Sequence, residues 1–141
     1  MNRPYRIMIV EDLPSDSALV QREVKYFFGS CDFLVIDNKK DFIDGLTVFK
    51  PDIILSDYSM PNFDWYTAFK ITLNQMPMPM PMIPFIIVTG STNPEIAREC
   101  LKAGAVNFIS KDNIKDLGPA ILHALEKINP ETHLPSGFEF T

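Results

Sequence analysis

The sequence predicts a doubly wound α/β domain, a parallel five-stranded sheet with helices on both faces. Three observations carry that prediction. Short, nearly all-apolar runs recur five times, as strands buried on both faces do. Between them lie segments with helical spacing or helix-start chemistry. At 141 residues, with 46% hydrophobic and 22% charged, the chain suits one globular domain with a sizeable core.

The first strand is read over residues 6–10 and ends at Glu11 and Asp12. Leu13, Pro14, Ser15 and Asp16 start a helix whose apolar Val20, Val24, Phe27 and Phe28 follow i, i+4, i+7, i+8, and Gly29 stops it. A second strand covers 33–37. Asn38 then caps a helix with Asp41 three residues on, and Phe42, Ile43, Leu46 and Phe49 form its inner face. The third strand, 53–56, is opened by Pro51 and Asp52 and closed at Asp57 by a turn containing Pro61. A weakly patterned helix over 64–74 follows. The fourth strand is 85–88, ending at Thr89, Gly90 and Ser91. Asn93 caps the next helix, with Pro94 at its first position, Glu95 near its positive end and Gly104 closing it. The fifth strand, 106–110, ends at Lys111. A last helix runs from Asn113 or Ile114 to Ile128, with Pro119 tolerable only near its start. Right-handed crossovers between five such strands give the flavodoxin-like order 2-1-3-4-5. The domain is therefore placed at 1–128, and 129–141, without periodicity, reads as a tail or linker.

Composition excludes several classes. A net charge of −5 and a pI near 4.9 argue against non-specific nucleic-acid binding, which needs a basic surface to displace counterions. The N-terminal apolar stretch is too short for a signal peptide or a spanning helix, so a soluble, cytoplasmic protein is expected. Cys31 and Cys100 lack metal spacing and read as buried, reduced thiols. From Met76 to Met82 methionine and proline alternate, which forbids helix and central strand. The run reads as a surface loop, with thioether binding of a soft metal such as Cu(I) as the sharper alternative.

The polar strand ends all lie at the same edge of a parallel sheet: Glu11 and Asp12 after the first strand, Asp57 after the third, Thr89 after the fourth, Lys111 after the fifth. Three carboxylates brought together repel unless a cation intervenes, and an oxygen-only set selects Mg²⁺ (or Mn²⁺). The same charges would repel a bare phosphate. Asp57 is then a nucleophile for phosphorus, with the metal and Lys111 neutralising the phosphoryl oxygens, Thr89 donating its hydroxyl to one of them, and Gly90 leaving space. Singly, each residue has a blander role as turn former, helix starter or solvated charge.

The set Ile-Val-Glu-Asp at 9–12, Asp-Tyr-Ser-Met-Pro-Asn-Phe-Asp at 57–64, Thr89-Gly90 and Lys111 resembles the receiver domain of bacterial two-component response regulators, over about residues 5–128. The resemblance implies a phosphorylation switch. Asp57 would take a phosphoryl group from a phosphohistidine on a sensor histidine kinase or a histidine phosphotransfer protein. Asp12, Asp57 and the backbone carbonyl of Ser59 would hold Mg²⁺, with Glu11 acting through water. Lys111 would pair with Asp57 or its phosphoryl oxygen. Thr89 would move toward that group and Phe108 would turn inward behind it, remodelling a face of fourth helix, fifth strand and fifth helix through which a homodimer is also expected. Ser59 and Ser91 occupy positions that tune dephosphorylation.

Three residues depart from the family pattern. Asp112 stands where many receivers have a cis proline, so the Lys111–Asp112 peptide is expected to be trans or strained and Lys111 to sit differently. Trp65 replaces a usual glycine and is expected to lengthen or shift the third helix's start. Phe108 lacks the hydroxyl of the tyrosine often found there. Rival readings are a haloacid-dehalogenase-like phosphatase, whose Asp-x-Asp pair follows its first strand, and a scaffold that kept the fold without the switch. With no effector after residue 128, the chain is expected to be a stand-alone regulator or a receiver module from a hybrid sensor kinase or other multidomain protein. No separate substrate turnover is expected of it.

Overall fold

The computed structural model describes residues 3–58, 60–61, 63–75, 83–91 and 93–128. Ser59, the run 76–82 and the segment 129–141 lie outside these, and with them the readings of the Ser59 carbonyl, the methionine-proline loop and the tail. Strands β1 (Tyr5–Val10), β2 (Cys31–Ile36), β3 (Ile53–Ser56), β4 (Phe85–Thr89) and β5 (Asn107–Ser110) form one parallel sheet in the order β2-β1-β3-β4-β5. Helices α1 (Pro14–Phe28), α2 (Lys39–Val48), α3 (Trp65–Gln75), α4 (Pro94–Ala103) and α5 (Leu117–Ile128) alternate with them, and a 3₁₀ helix, Lys111–Asp116, leads into α5.

Strand side chains alternate between faces, and the strands accordingly feed two cores. Met8, Val10, Ile54, Phe85 and Ile87 point to α2, α3 and α4, where they meet Phe42, Leu46, Trp65, Phe69 and Cys100. Ile7, Ile9, Ile53, Leu55, Ile86 and Val88 point to α1 and α5, against Val20, Val24, Ile121 and Leu125. Burial on both sides explains why these strands read as unbroken apolar runs rather than alternating ones. Asp52 stitches β3 to β1: its N–H donates to the Arg6 carbonyl at 2.8 Å, and its carboxylate accepts from the Arg6 N–H at 2.7 Å and from both terminal nitrogens of Arg3.

Several expected boundaries shift. The β2 strand starts at Cys31, because β1 begins at Tyr5 and the parallel ladder pairs those two residues; Asp37 lies beyond it. In α1, Phe27 is exposed at its far end rather than buried with Val20 and Val24. The α3 helix starts at Trp65 because Asp64 Oδ1 accepts from the Thr67 N–H at 2.8 Å, and the Trp65 ring is buried against Tyr66 and Phe69. Val106 is exposed and outside β5. The last α-helix begins at Leu117, not 113 or 114: Ser110 Oγ accepts from the Asp112 N–H at 3.1 Å and opens the 3₁₀ turn, which breaks regularity at Asn113. Pro119 thus falls in the first turn of α5, where its missing N–H loses no helical bond. The Asn38 and Asn93 caps form as read, accepting from the Asp41 and Glu95 N–H groups at 2.9 Å each.

Cys100 is buried and Cys31 only half-buried, since its strand position is the first of an edge strand. Burial, seconded by the Glu99 charge, pushes the Cys100 thiol from 9.0 up to about 11. The fold therefore gains by keeping that proton, a contribution intact below 9.0 and lost as pH climbs through about 11. At pH 8 a thiol reagent should label Cys31 readily and Cys100 only at the rate of global unfolding; equal labelling would contradict the packing. Gly104 has a positive φ of 136° and abuts the Phe69 ring, so that a Cβ would strike it. Gly104→Ala should lower the unfolding free energy by about 2–3 kcal/mol in urea denaturation.

Candidate functional site

The acidic residues owe their proximity to the sheet. Val10 pairs with Ser56 in the β1–β3 ladder and with Ile36 in the β1–β2 ladder, and one further hydrogen bond extends each. The Asp57 N–H donates to the Val10 carbonyl at 3.0 Å, and the Glu11 N–H donates to the Ile36 carbonyl at 3.0 Å. Glu11 and Asp57 are thus neighbours on adjacent strands, whose spacing is about 4.8 Å. Asp12 follows at the turn into α1. One carboxylate oxygen from each of Glu11, Asp12 and Asp57 lies within 4.8 Å of the others. Three hard oxygen donors this close, with no sulfur or imidazole in the cluster among the described residues, form the donor set that a small divalent cation such as Mg²⁺ takes. The observed crowding fits that ion.

Lys111 enters from the end of β5. Its Nζ donates to Glu11 Oε1 and to Asp16 Oδ2, both at 2.8 Å, and stands 3.6 Å from Asp57 Oδ1. The expected pairing with Asp57 is therefore secondary: the amine's short bonds go to Glu11 and to Asp16, a residue the sequence had offered only as helix-start chemistry. Asp16 stands in the first turn of α1, and no spacing in the sequence links it to Lys111. Glu11 is only 5% exposed, and its second oxygen, Oε2, accepts from the Leu13 N–H at 3.2 Å. Both oxygens being engaged by the protein, Glu11 is less available than Asp12 or Asp57 as a direct ligand.

Charges in this cleft are unbalanced. Among the described residues, four carboxylates, Glu11, Asp12, Asp16 and Asp57, face one ammonium. Burial raises the pKa of Glu11; the Lys111 hydrogen bond opposes that rise and the Asp57 charge adds to it. Burial works to lower the Lys111 pKa, but the bonds to Asp16 and Glu11 and the Asp57 charge outweigh it, so the amine's pKa is raised and it stays charged. The signs follow: the Glu11 contribution to stability is complete below 4.5 and lost as pH rises through its raised value, while that of Lys111 persists until pH rises past 10.5.

Of the other predicted residues, Thr89 is buried at the end of β4, and its Oγ1 is 3.5 Å from the Ser91 N–H, at the outer limit of a hydrogen bond. Ser91 Oγ accepts from the Asn93 N–H at 3.2 Å, which ties it to the start of α4. Phe108 on β5 is half-buried and packs against the core on the α2, α3 and α4 face of the sheet. Among the described residues no helix is long and apolar enough to cross a membrane.

A family model described as the response regulator receiver domain matches residues 7–122. The chain is 29% identical over 128 residues to a protein-glutamate methylesterase/protein-glutamine glutaminase of Archaeoglobus fulgidus, covering 87% of this chain and 35% of that protein. It is 33% identical over 109 residues to one from Rhodospirillum rubrum, covering 75% and 28%. It thus spans about a third of the length of these curated relatives. Among solved structures, the response regulator domain of Thermotoga maritima CheB superposes with a TM-score of 0.67 at 21% identity, covering 89% of this chain and 96% of that one. A CheY-like receiver domain protein from Methanospirillum hungatei gives 0.69 at 19%, covering 92% and 99%.

If like-charge crowding dominates the metal-free cleft, Asp57→Asn should raise the unfolding free energy by about 1 kcal/mol in a chelator at pH 7. Added Mg²⁺ should erase that advantage by stabilising the unsubstituted chain more. Unchanged stability in both media would mean the carboxylates do not strain the fold.

Proposed function

Because this chain belongs to the response regulator receiver domain family, we propose that Asp57 is its phosphoacceptor, charged by a phosphohistidine on a histidine kinase or phosphotransfer protein. The observation that carries this reading is the convergence of the Glu11, Asp12 and Asp57 oxygens within 4.8 Å, with the Lys111 amine 3.6 Å from Asp57. An Asp57 oxygen forms the new bond to phosphorus as the nitrogen–phosphorus bond of the donor breaks, and the imidazole leaves with the electron pair and takes up a proton. Asp57 suits the task because its side chain is mostly enclosed yet reachable, at 14% exposure, and its backbone is fixed in the sheet ladder.

Lys111 neutralises charge on the phosphoryl oxygens, and Thr89 donates its hydroxyl to one of them after giving up its long contact with the Ser91 N–H. Asp12 and Asp57, with the Ser59 carbonyl, would hold the divalent cation, and Glu11 would act on it indirectly. Mg²⁺ when bound supplies the positive charge that lets an anionic phosphoryl group enter a cleft of four carboxylates. Phe108 turns inward as Thr89 moves, and Ser59 and Ser91 set how quickly water removes the group. The signalling consequence is a change in the face of α4, β5 and α5, where a second copy or a downstream partner docks. We place this domain at 1–128 and in the cytoplasm. The esterase and glutaminase named for the curated relatives belong to much longer proteins, and these residues supply the receiver part only.

Incubation with acetyl phosphate or phosphoramidate and Mg²⁺ should add the mass of one phosphoryl group. The gain should vanish in Asp57→Asn and in excess chelator. A chain that gains nothing from either donor would be a phosphorylation-independent scaffold.

A further inference from the structure

We propose that Asp16 is a positioning residue that parks the Lys111 ammonium away from Asp57 and sets how readily it is surrendered to a phosphoryl group. This rests on the receiver chemistry proposed above. An ammonium has three donors. Two of them are engaged at 2.8 Å, by Glu11 Oε1 and Asp16 Oδ2, while Asp57 Oδ1 at 3.6 Å is too far for a hydrogen bond and near enough for attraction. The amine is therefore drawn toward the β1–α1 junction, and a phosphoryl group on Asp57 must compete for it there.

Glu11 and Asp16 hold it with different firmness. The Glu11 side chain is 3% exposed and its second oxygen is fixed by the Leu13 N–H, so losing the amine would leave a buried, uncompensated carboxylate. Asp16 is 31% exposed and lies outside the acidic trio of the cation site. Water can take over its oxygens once the amine leaves. Asp16 is thus the partner that lets go, and its strength fixes the threshold. Asp16 also stands in the first turn of α1, where a negative charge favours the helix end. That structural role does not depend on Lys111, which separates the two.

The test uses beryllofluoride, a mimic of a phosphoryl group on a carboxylate, titrated at saturating Mg²⁺ and followed by ¹⁹F NMR. Asp16→Asn should bind it roughly three- to tenfold more tightly than the unsubstituted chain, the size expected of a partly exposed charged hydrogen bond. Asp16→Glu should return the affinity toward the starting value. In the Lys111→Met background, Asp16→Asn should shift affinity by about twofold or less, leaving only the screened field of one charge. An equal shift in both backgrounds, or none with Lys111 present, overturns the positioning role while leaving the receiver chemistry intact. A chain that takes up neither beryllofluoride nor the phosphoryl group of acetyl phosphate removes that chemistry, and this role with it.

Discussion

The site is governed by one constraint: a parallel register that sets Glu11 beside Asp57, and a cleft in which a single ammonium answers four carboxylates. Strand pairing is set by the burial of Ile7, Ile9, Ile53 and Leu55 on one face and Met8, Val10 and Ile54 on the other. A slip of one residue would turn both sets over, so the cores enforce the crowding that the edge has to bear. Charge that would otherwise be destabilising becomes useful, because it rejects bare anions and calls for a cation.

The two faces of the sheet support different parts of the cleft. On the α1 and α5 face, the β1–α1 junction holds Glu11, Asp16 and the Lys111 amine in one bonded group. Toward α4, Thr89, Ser91 and Phe108 are held more lightly, by a 3.5 Å contact, a turn bond and half-buried packing. The stiff half carries the proposed acceptor and its counter-charges; the looser half carries the residues proposed to respond.

Much of this was legible in the sequence, for reasons that can be named. Buried parallel strands are apolar throughout, so 53–56 was found to the residue, and the polar residues that end them mark one edge of the sheet. Helix caps at Asn38 and Asn93 are local chemistry and were found as local chemistry. What escaped was set at a distance. Cys31 belongs to β2 only because Tyr5 pairs with it. The local exception is Ser110, which accepts from the Asp112 N–H two residues on and opens the 3₁₀ turn that delays α5 to Leu117. The choice of Asp16 by Lys111, 95 positions away, depends on where the β1–α1 turn points, and nothing in the spacing of either residue states it.

The amides of Glu11 and Asp57 are the last rungs of the β1–β2 and β1–β3 ladders. The proposed acceptor, Asp57, therefore stands on an anvil: displacing it would peel the centre of the sheet. In the proposed switch, compliance would be left to the β4 and β5 loops, and a mechanical output would be directed sideways across the sheet rather than along the strand that carries Asp57.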